Sequence, residues 1–288
     1  MTNIKCNLCG AVNGVADEVC KVCGAELQSP FRHDEPSPGS YDQSATRPPR
    51  NVIHPFDGVG DVLGPTISLF TKNLWLITKI VFVIVAPFEI FKTLSVRNME
   101  ADPQVAIGIV ALQLLCNALI VPALFYSLVQ VMETGSAPSV NEAYRWGLSK
   151  IPKLSLSAIL SWLLIAIGTL LCIIPGLLLS LAFHVVYPVA VFEKGSPVEV
   201  LKRSYKLTEG YLWHIFLGAF VIGILVAVCT VPVSAGVTAL AVNGVHFLPL
   251  QIAAAIFADI IAEASTVFSL VVYLSILRTL ERGHSILE

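Results

Sequence analysis

Charge is what this sequence has least of. Lys, Arg, Asp and Glu make up 13% of its 288 residues, about half the ~25% of an ordinary soluble domain. Neither sign dominates: 18 basic and 20 acidic residues give a formal net charge of −2, so no basic field points to nucleic acid. Also missing are a Gly-x-Ser-x-Gly elbow, a His-Glu-x-x-His motif, a Walker-type phosphate loop and a paired intramembrane Asp. Those absences argue against hydrolase, metalloprotease, intramembrane-protease and nucleotide-driven chemistry. What fills the chain instead is apolar, with 55% hydrophobic residues and a mean hydropathy of +0.77. A soluble protein of this size has nowhere to hide so much apolar surface, and runs of about 20 apolar residues match a bilayer core.

The expected architecture is an all-α polytopic membrane protein of about six transmembrane helices behind a small N-terminal zinc ribbon. Three parts follow one another: the ribbon at 1–27, a Pro/Ser-rich disordered linker at 28–55, and a six-helix membrane domain at 56–288. The linker lacks any period of 2 or 3.6 and cannot bury enough to order itself. Residues 56–72 read as a mildly amphipathic entry segment against the membrane surface. Spans are expected near 74–94, 105–131, 154–174, 177–192, 211–231 and 250–277, with Pro175–Gly176 parting the third from the fourth. The stretch 231–250, apolar but interrupted by Gly and Pro, reads as a loop or a re-entrant piece.

Lysine and arginine set the orientation. Arg145, Lys150 and Lys153 follow the second span; Lys194, Lys202, Arg203 and Lys206 follow the fourth; Arg278 and Arg282 end the sixth. The connections on the opposite face hold Arg97 alone, beside Glu100 and Asp102. Both termini are therefore expected in the cytoplasm, in a multi-pass protein of the cytoplasmic membrane. No secretory leader is expected either, because the N-terminus is polar and the first apolar run starts near Leu74. The two basic connections echo each other as "GSAPSVNEAYRWGLSK" and "GSPVEVLKRSYKLTEG". Ser139/Glu142 and Ser196/Glu199 have capping-box spacing, which predicts amphipathic helices over 139–150 and 197–208 in the cytoplasmic interface. Their Arg145, Lys150, Lys153, Lys202, Arg203 and Lys206 form a candidate surface for anionic lipid or a partner.

Four of the seven cysteines cluster as C-x2-C-x10-C-x2-C at Cys6, Cys9, Cys20 and Cys23, with Gly10 and Gly24 after each pair. Thiolates two residues apart reach one ion when the knuckle turns back on itself, and the following Gly permits the positive φ this needs. Four ligands close the site, so one zinc ion is expected there in a structural role, and it would also fold a segment that lacks a core. Two disulfides or a rubredoxin-type iron site are the alternatives; a cytoplasmic location disfavours disulfides. The module resembles the bacterial zinc-ribbon family, which reads C-x-x-C-G…C-x-x-C-G-x-x-L, and Leu27 fills the last place. A protein partner is the expected target, since only Lys5 and Lys21 are basic, with Asp17 and Glu18 against them.

A second resemblance lies in "VYPVAVFEKGSPVEVLKRSYKLTEGYLWHIFLGAFVIGIL", residues 186–225. An aromatic-Pro pair, a Glu at the membrane edge, Ser-Pro, Leu-Lys-Arg-Ser, Leu-Thr-x-Gly and Trp-x-Ile-Phe follow in order. This resembles the multi-pass domain found N-terminal to some bacterial glycerophosphoryl diester phosphodiesterases and in related stand-alone membrane proteins. The resemblance implies a fold and a membrane. Phosphodiesterase activity is not expected from it, since the sequence offers no catalytic barrel after the sixth span and no His/Glu/Asp cluster for metal-assisted hydrolysis.

Ionisable residues inside apolar runs are the remaining functional candidates. Asp259 and Glu263 are four apart on the sixth span and face the same way, and Glu89 lies in the outward half of the first. Two readings follow: a non-enzymatic membrane-organising or interaction component carrying the zinc ribbon, or a transporter or lipid-handling protein with a polar cavity around Glu89 and Glu263.

Overall fold

In a computed structural model, residues 3–5, 12–14, 55–101, 103–243 and 247–285 are described. The chain divides into two units, Met1–Tyr41 and Asp42–Glu288. In the first, β1 (Asn3–Lys5) and β2 (Val12–Gly14) pair antiparallel, Asn3 opposite Gly14 and Lys5 opposite Val12. The sequence between them contains Cys6 and Cys9; all four candidate zinc ligands lie outside the described residues.

The second unit is helical throughout its described part. Its elements are α1 (Gly60–Lys72), α2 (Leu74–Ala101), α3 (Pro103–Thr134), α4 (Val140–Leu148), α5 (Ile151–Leu171), α6 (Ile173–Ala182), α7 (Val186–Phe192), α8 (Pro197–Thr208), α9 (Leu212–Val242) and α10 (Leu248–Ser285). Six stretches are long and apolar enough to cross a membrane: Leu74–Ser95, Gln104–Thr134, Ile151–Leu171, Ile173–Phe192, Leu212–Val242 and Leu248–Leu280. This is an all-α polytopic membrane bundle.

Two expected boundaries move, each for a physical reason. The third and fourth spans part at Cys172, whose backbone is extended (φ −168°, ψ 146°), and not at Pro175–Gly176. Proline is tolerated in a first helical turn, where amide donors have no intrahelical partner anyway, so Pro175 sits inside α6. Residues 231–242 are neither loop nor re-entrant: α9 runs through Pro232 to Val242, and α10 takes over at Leu248. Pro232 removes one amide donor, while Thr230, Ser234 and Thr238 fold their hydroxyls back onto the carbonyls of Val226, Val231 and Ser234. None of these is the carbonyl of Val228 that Pro232 leaves without its amide; the helix continues because its other amides keep their bonds and packing in a membrane tolerates proline.

The fourth span is itself discontinuous. α6 stops at Ala182 and α7 starts at Val186, so carbonyls at the break lose their helical donors. The Ser204 hydroxyl on α8 donates to Ala182 O at 2.8 Å, the Thr208 hydroxyl lies 3.1 Å from the same oxygen and 3.0 Å from Ser204 O, and Ser269 on α10 donates to His184 O at 2.8 Å. The break is thus satisfied by side chains from two other helices.

Helices α4 and α8 follow the two basic connections. Gly135 and Gly195 turn the chain with φ of 72° and 130°, a region open to glycine. Ser196 then caps α8, accepting from the Glu199 amide while Glu199 accepts from the Ser196 amide at 2.7 Å. That backbone bond, with the other contacts of the box, holds the exposed Glu199 carboxyl below its ordinary range. At α4 only half the box forms. Ser139 accepts from the Glu142 amide, but the Glu142 carboxylate takes the Tyr126 hydroxyl at 2.8 Å. Both helices are two-faced: Val200, Leu201, Ser204, Leu207 and Thr208 bury one side of α8, Ala143 and Gly147 one side of α4.

The α4 and α8 end of the bundle, here the near end, also holds Phe56. Its amide donates to Thr279 late in α10 and its ring stacks on Tyr211 at 5.0 Å. α1 lays Val62, Thr66, Leu69 and Phe70 inward beside it.

The main core is concentrated toward this end. It takes Leu76–Val85 positions of α2, Ile120–Leu128 positions of α3, nearly all of α7, Ile215 and Ile222 of α9, and Val267–Ile276 positions of α10. Toward the far end, among the described residues, Phe88, Ile109 and Cys116 form a second small cluster, and large apolar side chains of α5, α6 and α9 face outward.

Candidate functional site

The face that α2 turns inward runs Ile77, Ile80, Val81, Val85 and Phe88, a 3–4 spacing that keeps one helical stripe on the partner. Glu89 extends that stripe one residue past Phe88 and is fully buried, with 0% of its surface exposed. On the facing helix, the buried run of α10 begins at Val267. Glu263 lies one turn beyond it and Asp259 one turn further, on the same side. The packed core therefore ends, on both helices, in carboxylates.

Glu89 is ion-paired with Lys92, three residues along α2, whose ammonium also stands 5.5 Å from the Phe88 ring centre. Asp259 feels the charges of both Glu89 and Lys92, and Glu263 those of Asp259, which ties the three acids into one electrostatic neighbourhood. The Thr266 hydroxyl bonds the Glu263 carboxyl. One oxygen of each acid, Oε2 of Glu89, Oδ2 of Asp259 and Oε2 of Glu263, is buried without a hydrogen-bond partner. An ionised carboxylate out of water is costly unless paired, protonated or bound to a cation. Three acids facing one lysine exceed what internal pairing neutralises.

From the near side α4 reaches the same neighbourhood. Tyr144 donates its hydroxyl to the Ile80 carbonyl at 2.5 Å. Burial first, then the charges of Glu263 and Cys116, push its phenol above the ordinary tyrosine range. Gly147 lets α4 close on α3: a Cβ there would sit 3.3 Å from the Ala123 amide nitrogen and from a Pro122 ring carbon.

The six basic candidates separate into two groups. Arg145, Lys202 and Lys206 are exposed, and Lys150 lies 5.2 Å over the Trp146 ring. Lys153 and Arg203 turn inward onto Glu193 at the end of α7. Lys153 donates to the Glu193 carbonyl, and Arg203 Nε spans both carboxylate oxygens at 3.1 and 3.3 Å. Tyr273 of α10 adds its hydroxyl to Glu193 Oε1 at 3.2 Å.

Sequence reasoning assigned Glu193 no role beyond a membrane-edge landmark and passed over Lys92. The second omission was avoidable, because Glu89 and Lys92 have the i,i+3 spacing of helix neighbours. The first was not: Glu193, Lys153, Arg203 and Tyr273 come from four helices. Among the described residues no group of three or more His, Cys, Asp and Glu is arranged to hold a metal ion. Compared with known protein families, with curated proteins and with solved structures, the chain finds no match in any of the three.

Proposed function

We propose that this is a non-enzymatic integral protein of the cytoplasmic membrane, with both termini in the cytoplasm, that binds a cationic solute or cationic lipid headgroup at Glu89, Asp259 and Glu263 and moves it within or across the bilayer. The observation carrying this reading is the buried, partnerless oxygen on each of three carboxylates at one helix contact. An intramembrane acid is a functional candidate by default, and three converging acids with a single lysine have the chemistry of a cation site. A purely organising role would be served by apolar packing at that contact.

Thermal unfolding of the purified full chain tests it, using tetramethylammonium, choline and tetraethylammonium chlorides as probes at matched ionic strength. At least one cation should raise the melting temperature of the wild type, since a ligand bound at 100 times its Kd stabilises by about 2.7 kcal/mol. The Glu89→Gln/Glu263→Gln variant should lose that rise. Identical responses of the two proteins to all three cations overturn the reading.

The N-terminal module supports a second, compatible role as a cytoplasmic contact for a partner protein, with a zinc ion held by Cys6, Cys9, Cys20 and Cys23. Its support is the pairing of β1 with β2 around the first cysteine pair. Affinity purification from native membrane with and without residues 1–27 separates partners of the ribbon from partners of the bundle. The outward-facing Arg145, Lys150, Lys202 and Lys206 favour anionic lipid phosphate as a neighbour of α4 and α8.

A further inference from the structure

The carboxylates at the α2–α10 contact lack donors, not acceptors. An ionised carboxylate only accepts hydrogen bonds. Oε2 of Glu89, Oδ2 of Asp259 and Oε2 of Glu263 are three buried acceptors in one neighbourhood, none with a partner. The donors beside them are committed, the Lys92 ammonium to Glu89 and the Thr266 hydroxyl to Glu263. Three acceptors cannot satisfy one another. A proton added to one carboxyl makes an oxygen of that group a donor, which a neighbouring carboxylate accepts. Two such protons also cancel the negative charge that Lys92 leaves uncompensated.

Depth makes the shortage costly. Lys153, Glu193 and Arg203 close the near end with charge, and Tyr273 of α10 bonds Glu193. Along α10, Glu263 is ten residues from Tyr273 and Asp259 fourteen, about 15 and 21 Å. On α2, Glu89 is nine residues from Ile80, whose carbonyl takes the near-end Tyr144 hydroxyl, a rise of about 14 Å. A hydrocarbon core is about 30 Å thick, so all three acids stand well inside it.

The neighbouring elements bring little to offset them. α3 adds Cys116, and α2 carries Arg97 and Glu100 late in its run. Tyr144 of α4 keeps its hydroxyl on the Ile80 carbonyl. α9 contains two titratable side chains, His214 at its near end and Cys229. α1 brings Asp61 and Lys72, and α8 brings Glu199, Lys202, Arg203, Tyr205 and Lys206, all at the near end. Tyr187 is the titratable residue of α7. His184, in the break before α7, has its ring 5.2 Å from Phe268 of α10.

We propose that Glu89, Asp259 and Glu263 share protons in the folded bundle and act as a pH switch on the α2–α10 contact. Protonated, the carboxyls donate to one another and the contact closes. At alkaline pH the O–H bonds break, the protons leave to water and the electron pairs stay on the carboxylates. Like charges then press α2 and α10 apart. A proton needs no cavity. The switch therefore goes beyond the cation reading and stands without it, while a bound organic cation competes with the protons for the same oxygens.

Infrared spectroscopy of the full chain in vesicles tests the protons directly. At about pH 7, where exposed carboxyls are ionised, the wild type should show a protonated-acid carbonyl band above amide I. Asp259→Asn/Glu263→Gln, whose amides keep donors without charge, should lose most of that band. Thermal unfolding followed by tryptophan fluorescence tests the switch, since Trp75, Trp146, Trp162 and Trp213 all lie in the bundle. The folded site holds protons that the unfolded chain has given up, so stability falls as pH rises. Each retained proton lowers the folding constant about tenfold per pH unit until the site ionises, and the wild-type melting temperature should fall between about pH 5 and about pH 9. The double variant should lose most of that slope and melt above the wild type at the alkaline end. Asp259→Asn alone should lose part of it and decides the matter if the double variant does not fold. A wild type without the acid band, or a band unchanged in the folded variants, overturns the shared protons. The same pH slope in wild type and variants overturns the switch. Acids that only hold the fold would change stability equally at every pH. Acid band and pH slope without cation stabilisation keep the switch and remove the cation reading; cation stabilisation without either does the reverse.

Discussion

Glycine 176 makes a close approach that no other residue type permits. A Cβ on Gly176 would lie 2.1 Å from Thr169 Oγ1 and 2.7 Å from the Thr169 Cα and amide nitrogen, and backbone does not yield cheaply. The hairpin of α5 and α6 owes its tightness to that contact. Gly176→Ala should force the two helices apart and lower stability by about 1–3 kcal/mol, the usual cost of overpacking. Gly223, also helical, has open space where a Cβ would go. Gly223→Ala should therefore leave stability unchanged or raise it by about 0.4–1 kcal/mol. The melting temperature should fall for Gly176→Ala and hold or rise for Gly223→Ala, and a fall in both would remove the packing explanation. At this scale the sequence was partly legible. The apolar run around Glu89, Asp259 and Glu263 marked each of them as anomalous, because a charge stands out against hydrocarbon. Their convergence across α2 and α10 depended on which stripe each helix buries, and the near-uniform apolarity of membrane helices hides that stripe.

At the scale of elements, the break between α6 and α7 shows how redundancy protects an irregular backbone. The Ala182 carbonyl has the Ser204 hydroxyl at 2.8 Å and the Thr208 hydroxyl at 3.1 Å, and Thr208 can turn its one proton from Ser204 O to this acceptor when Ser204 is removed. Ser204→Ala or Thr208→Val alone should cost about 0.5 kcal/mol, the low end of the net worth of one hydrogen bond. Together they strand a buried carbonyl, which costs about 1–3 kcal/mol. The double variant should show a melting temperature lower than the sum of the single effects predicts, with faster amide exchange confined to the residues around 183–186. Additive single and double effects would mean that the two hydroxyls do not share this acceptor. The capping serines and turn glycines made α4 and α8 legible in advance, since their chemistry is local. The one local signal at the break of 183–185 is Pro188, in the first turn of α7, which offers the His184 carbonyl no amide. "LAFHVV" contains neither Gly nor Pro, and its irregular backbone is supported by hydroxyls from α8 and α10. Pro232 was misleading for a different reason: a long apolar helix such as α9 tolerates a residue that breaks helices in water.

For the whole molecule, the division into Met1–Tyr41 and Asp42–Glu288 separates two ways of stabilising a fold. The bundle buries apolar surface, and six spans were legible from hydropathy alone because a bilayer permits little besides helices. The N-terminal module has too few apolar residues for a core of its own, so its stability depends on the proposed zinc ion. Elemental analysis of the full chain, purified without chelator, should find one zinc per chain. Cys6→Ser/Cys9→Ser should abolish it, because two thiolates cannot close a tetrahedral site. Cys116, Cys172 and Cys229 remain as free thiols in that variant and should hold no metal in its place. The melting temperature of the bundle should not change with the loss of zinc, since the two units are compact by themselves and the described core residues run from Phe56 to Ile276. Zinc that persists after Cys6→Ser/Cys9→Ser would place the metal elsewhere in the chain. A chain that never carries stoichiometric zinc would instead remove the ribbon as a metal module and leave β1 and β2 in need of another source of stability.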